Sequence, residues 1–182
     1  MERELIPKSG VLSLSAVPND ILMWSHYADS HRGVCLKFDR SKLKFVQVFE
    51  ERYGEPYQRK DDSGRHEESF EAAPVEYAES VPTIRLFPDP RPAWGASVFT
   101  KSRHWSYERE WRVLVPPSAD VTGHGWRKLP ERSLAGVIFG SEIRPEDEEQ
   151  VLQWIKMGGA QVPLFRAEKE PGRFEFGIRE IR

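Results

Sequence analysis

Apolar residues in this chain come in short runs, "VLSLS", "VCLKF", "WRVLV" and "LAGVIF", each about the length of one strand. One stretch, "RPEDEEQVLQWIKMGG", carries the spacing of a longer helix. A mixture of short strands with few helices argues for an α+β fold built on mixed or antiparallel sheets rather than a regular parallel sheet. The 182 residues match one ordinary domain, long enough to bury a core without disulfides or metal, so a single domain over residues 1–182 is expected. No apolar run approaches the ~18 residues of a membrane span, and no membrane partner is expected.

Along the chain, "GVLSLS" reads as a strand with Val11, Leu12 and Leu14. A helix then runs from an N-cap at Asn19 to about Ala28, with Ile21, Trp24, Ser25 and Ala28 on one face. Gly33 turns the chain into the strand "VCLKF", in which Val34, Leu36 and Phe38 are core positions. Residues 50–73 are nearly all charged or polar and read as an exposed excursion. "PVEYAESV" is a further strand, and the Pro-rich "VPTIRLFPDPRP" is a surface crossing. From Tyr107 the residues alternate as in a strand, with Tyr107, Arg109, Trp111, Val113 and Val115 on one face and Glu108, Glu110, Arg112 and Leu114 on the other. "LAGVIFG" is a buried strand. The helix after it starts at Pro145, buries Val151, Leu152, Trp154 and Ile155, and stops at Gly158 and Gly159. Two strands around a Glu-Pro-Gly turn end the chain.

The charges nearly cancel, 27 Lys and Arg against 29 Asp and Glu, so no global field would hold the chain on nucleic acid or anionic lipid. One cysteine excludes an internal disulfide framework, and "MERELIPKSG" lacks the apolar stretch of a signal peptide, which predicts a cytoplasmic location. Six Trp, ten Phe and five Tyr need a core or a ligand to cover them.

His26, His31 and Cys35 form an H-x4-H-x3-C series that invites a zinc reading. Residues five apart on a helix point to different faces and no second Cys or His lies close by, so no metal is expected and Cys35 reads as a small buried hydrophobe. The hydrolase elbow, the phosphate-binding loop and the dinucleotide fingerprint are all absent. "GSEIRPE" places a Gly-Ser turn before a helix N-terminus where an anion can sit, an arrangement far more often a plain connection. "SYEREWR" carries more chemistry. A row of Glu108, Glu110 and Arg112 either faces water, the commoner outcome on antiparallel sheets, or lines a polar cleft. Trp105 and Tyr107 beside it favour the cleft, because flat rings flanking carboxylates suit a planar ligand and developing positive charge.

"LMWSHYADSHRG", then Tyr77, then Lys101, Trp105, Tyr107, Glu108, Glu110, Trp111 and Arg112, then "GVIFG" resembles the bacterial domain of unknown function 2971 family. That family is similar in layout to ADP-ribosyltransferase-like domains, α+β folds with a cleft between two sheets. The resemblance implies NAD as a co-substrate and Glu110, with Glu108 second, as the carboxylate that holds a ribose hydroxyl and stabilises the oxocarbenium-like state. His26, Tyr27 and His31, with Trp105, Tyr107 and Arg112, would then contact the nucleotide. It also implies a transferase of bacterial conflict or phage defence, its protein or nucleic-acid target unspecified. Family members begin with a Lys-Tyr strand and an Asn-Asp-Pro-Phe turn that do not precede "GVLSLS", so the chain is expected to start inside the domain. The alternative expectation is a non-catalytic interaction module of the same family, its aromatics serving as core.

Overall fold

The computed structural model describes residues 10–49, 66–83, 97–115 and 128–181. Most of the Pro-rich crossing and residues 50–65 of the charged excursion lie outside them.

Eleven strands are described: β1 Gly10–Ser15, β2 Val34–Phe38, β3 Lys44–Phe49, β4 His66–Glu71, β5 Ala73–Pro74, β6 Glu76–Ala78, β7 Thr100–Ser102, β8 Glu110–Val115, β9 Leu134–Phe139, β10 Leu164–Lys169 and β11 Phe176–Glu180. With them stand helix α1 (Ile21–Tyr27), a 3-10 helix (Arg103–Glu108) and helix α2 (Pro145–Met157). The α+β expectation holds. One sheet has the order β1-β8-β5 and is antiparallel; a second has the order β11-β10-β9-β2, with β9 and β10 parallel and the outer pairs antiparallel. Strands β3 and β4 pair antiparallel, and β6 and β7 pair parallel.

The four-stranded sheet is buried on both faces by different helices. On one face Val137, Phe139 and Leu164 pack with Val151, Leu152 and Ile155 of α2. On the other, Ile138, Ala167 and Phe176 meet Trp24 and Ala28 at the C-terminal side of α1. The period-2 alternation of β9 sends Val137 and Phe139 one way and Ile138 the other, which is why "LAGVIF" is apolar throughout. Trp24 is anchored at both ends of its ring system, edge-on to Phe176 at 6.1 Å and donating from Nε1 to the Pro18 carbonyl at 2.7 Å.

Several expected details change. The α1 N-cap is Asp20, whose carboxylate accepts from the Leu22 and Met23 amides, while the Asn19 carbonyl instead accepts from the Phe176 amide. Ser25 is exposed, so the buried stripe of α1 is narrower than expected. Leu36 lies at 47% exposure on edge strand β2. Trp154 is 61% exposed because the stripe of α2 that meets the sheet is covered by Val151, Leu152 and Ile155. The charged excursion ends in strand β4, paired along its length with β3. Strand β8 begins at Glu110 rather than Tyr107.

Between α1 and β2 the backbone passes through three consecutive left-handed residues, Asp29, Ser30 and His31, with φ of 45°, 53° and 71°. This tight turn returns the chain over the end of β9, where Gly140 donates to the Gly33 carbonyl at 2.9 Å and a Cβ on Gly140 would collide with the His31 carbonyl.

Phe139 is fully buried, so Phe139→Ala should cost ~3–5 kcal/mol in urea unfolding. Trp154→Ala should stay within about 0.5 kcal/mol of the parent.

Candidate functional site

Lys101 stands on β7 directly beside Tyr77 of β6, in parallel register. The chain after it winds into the 3-10 helix, which ends at Arg109 in a left-handed conformation (φ 43°) before β8 starts. That kink costs a non-glycine residue energy. It is held by the Arg109 amide donating to the Ser106 carbonyl and by the Ala16 amide donating to the Arg109 carbonyl. Its consequence is that Glu108, although not on the strand, points its carboxylate into the same cluster as Glu110.

Both carboxylates are buried, Glu108 at 3% and Glu110 at 5% exposure, so they do not face water. Burying two negative charges requires cations and donors at close range. Lys101 Nζ supplies one set, bonding Oε2 of Glu108 and, at 3.0 Å, Oε2 of Glu110. Arg112, two residues along β8 on the same face, grips Glu110 in a bidentate pair at 2.7 and 2.9 Å, and its remaining terminal nitrogen donates to the Val98 carbonyl. Tyr27 at the end of α1 donates its hydroxyl to Oε1 of Glu108 at 2.8 Å. The Glu110 amide donates to the Tyr77 hydroxyl at 2.7 Å, and Ser15 donates to the Glu108 carbonyl at 2.8 Å.

These contacts decide protonation. Burial alone pushes the Glu110 carboxyl up; hydrogen bonds from Arg112, Lys101 and Ser13 outweigh it and hold the group at about 2, so Glu110 is ionised at neutral pH. The bond to Glu108, followed by burial, pushes the Tyr27 phenol up, which keeps it a donor.

Four rings collect at the outer side of this cluster. Tyr107 lies 6.1 Å from Trp105 and 6.4 Å from His26, and His26 lies 6.4 Å from Tyr27, between ring centroids. Lys101 Nζ sits 5.2 Å from the Trp105 ring. Tyr27 and Trp105 are 62% and 41% exposed, so large aromatic surface remains open beside paired buried charge.

Of the residues singled out in the sequence, His26, Tyr27, Trp105, Tyr107, Glu108, Glu110 and Arg112 therefore lie in one connected group. His31 makes its contacts elsewhere: its ring packs 5.3 Å from Phe176 and its carbonyl accepts from the Glu142 amide. Lys101, Tyr77, Ser13 and Ser15 belong to the network and were not expected in it. Lys101 and Tyr77 do occur in the ordered residue pattern that carries the family resemblance, and two carboxylates buried together demand a cation; those are the signals that point to them. Cys35 is partly buried in β2, with its thiol pushed up by burial. Among the described residues no group of three His, Cys, Asp or Glu side chains is placed to hold a metal, and no helix is long and apolar enough to cross a membrane.

The fold and site define an α+β protein with a buried glutamate pair, clamped by lysine and arginine and fronted by exposed rings. Residues 23–113, half of the chain and the part that carries this cluster, match the family described as a protein of unknown function, DUF2971, and the chain belongs to that family. No curated protein and no solved structure matches it.

Glu110 favours the folded state only while ionised. Its contribution to stability is complete above the ordinary carboxyl value near 4.5 and is lost as pH falls from there through about 2. Urea midpoints measured across that interval should fall, and Glu110→Gln should flatten this part of the profile. Arg112→Gln at neutral pH should cost ~3 kcal/mol, because a buried carboxylate loses its bidentate partner while keeping Lys101.

Proposed function

We propose that the ring-fronted glutamate cluster binds the NAD nucleotide and that the chain is an ADP-ribosyltransferase-like enzyme. The observation that carries the reading is the position of Glu108. Its carboxylate is held by Lys101 on one oxygen and by the hydroxyl of the exposed Tyr27 on the other, next to the open rings of His26, Trp105 and Tyr107. A planar nicotinamide or adenine stacks on such rings, and a ribose hydroxyl takes the place of the Tyr27 hydroxyl on Glu108.

In the reaction the C1′–N bond breaks and its electron pair goes to the nicotinamide nitrogen, which loses its positive charge. Positive charge develops on the ribose, and the acceptor's oxygen or nitrogen attacks C1′ and gives up its proton to solvent. A fixed carboxylate beside C1′ is worth more in that transition state than in the ground state. Of the two expected carboxylates, Glu108 rather than Glu110 is the one proposed to meet the ligand, because its Oε1 is held by the Tyr27 hydroxyl, which a ribose hydroxyl can replace, whereas both oxygens of Glu110 are held by cations. Glu110, ionised and bound by both cations, positions Lys101 and through it Glu108. A role in conflict or phage defence belongs to the same proposal and rests on the family resemblance.

A second reading has its own support: Arg112 and Lys101 together occupy both oxygens of Glu110, as they would in a purely structural tie between β8 and residues 98–101. In that reading the protein is a non-catalytic interaction module.

Release of nicotinamide from NAD, with water as acceptor, separates the two. Glu108→Gln should fold with a thermal midpoint below the parent's, since Lys101 loses one of its two carboxylates and keeps Glu110, and should lose turnover; a folded Glu108→Gln protein with parental turnover would contradict the transferase reading. Trp105→Ala should weaken NAD binding about tenfold, in line with ~1–3 kcal/mol for stacking on an exposed ring.

A further inference from the structure

A cavity of about 620 Å³ opens between the two sheets beside α1. Leu12, Leu14 and Trp111 wall it from the three-stranded sheet, and Cys35, Ile138 and Phe165 from the four-stranded one. That volume is in the range of small-molecule sites, roughly 300–1,000 Å³. The polar groups it meets are unlike those of the glutamate cluster. Lys37 and Arg40 line it, and each cation lies over one of its aromatic walls, Lys37 Nζ at 4.9 Å from the Phe165 ring and the Arg40 guanidinium at 4.5 Å from the Trp111 ring. Neither cation is ion-paired to a carboxylate among the described residues, whereas Lys101 and Arg112 are. Among the described residues no Asp or Glu lines the cavity.

We propose that this cavity is a binding site for a single-chain amphiphile with an anionic head, its hydrocarbon body lying between the two sheets and its head on Lys37 and Arg40. An apolar chain is favoured because it covers Leu12, Leu14 and Phe165, which are partly open to water. A negative head is favoured because two cations whose close partners among the described residues are rings gain a charge partner on binding. A neutral chain gains the first term alone. The proposal does not rest on the nucleotide reading, although the two sites adjoin: Ser13, Ser15 and Tyr27 line the cavity and also serve the glutamate cluster, Tyr27 with its ring toward the cavity and its hydroxyl on Glu108.

The single cysteine reports occupancy directly. Cys35 lines the cavity, so a bound chain should shield its thiol from alkylation by N-ethylmaleimide. Decanoate, decyl phosphate and decanol are compared as protectants on the full chain. The two anions should protect Cys35 at concentrations about fivefold or more below decanol, the scale expected of two partly exposed charge contacts. The variant with Lys37→Gln and Arg40→Gln should remove that difference while decanol protects as before. Protection by decanoate but not decyl phosphate assigns a carboxylate head, and the reverse assigns a phosphate head. Equal protection by anions and decanol, or no protection by any of them, would overturn the proposal. Should the double variant unfold, each single Gln variant read by the same alkylation rate keeps the test decisive, since each must narrow the gap.

Discussion

One ammonium group, Lys101 Nζ, meets two buried carboxylates at once, and much of the local architecture follows from that demand. Glu108 and Glu110 repel each other and are out of water, so neither stays charged without a cation between them. The lysine arrives from β7, whose register beside β6 also delivers the Tyr77 hydroxyl to the Glu110 amide. Arg112 completes the balance from within β8 and ties the segment around Val98 to the strand. Three stretches distant in sequence, around residues 27, 77 and 101, are thereby tied to Glu108 at the end of the 3-10 helix and to Glu110 at the start of β8 by charge and hydrogen bonds.

The apolar packing lies elsewhere. The four-stranded sheet holds several of the fully buried side chains, Phe139, Ile138 and Val137 among them, and is flanked by α2 on one face and α1 on the other. Helix α1 thus serves two environments. Trp24 and Ala28 face the sheet core, whereas Tyr27 turns its hydroxyl to Glu108 and its ring to the cavity between the sheets. A seven-residue helix with one face on the core and another at a charged cluster links the two.

The elements with a clean period were legible in the sequence. Strands β1, β2, β9, β10 and β11 and helix α2 follow from alternation, from helical spacing and from Pro145 and Gly158 at the helix ends. "SYEREWR" was misleading because alternation of charge and aromatic fits a strand equally well, and nothing local to Arg109 announces a left-handed kink. The burial of Glu108 and Glu110 was likewise hidden, since charged residues are ordinarily exposed and the partners that neutralise them come from β7 and α1. The pairing of β3 with β4 was missed because "HEESFE" is too polar to read as a strand; its partner supplies the ladder. Trp105 and Tyr107 stand out as flat rings near carboxylates, and His26 and Tyr27 through the family resemblance; their mutual proximity comes from the 3-10 helix lying against α1.

A titration of the ¹⁵N-labelled protein with NAD, followed through the Trp105 indole and the amides of His26, Tyr27 and residues 101–110, tests the central claim most directly. The account predicts saturable shifts concentrated in those two segments and abolished by Glu108→Gln. Resonances that stay unmoved at millimolar NAD, or shifts confined to other parts of the chain, would contradict it.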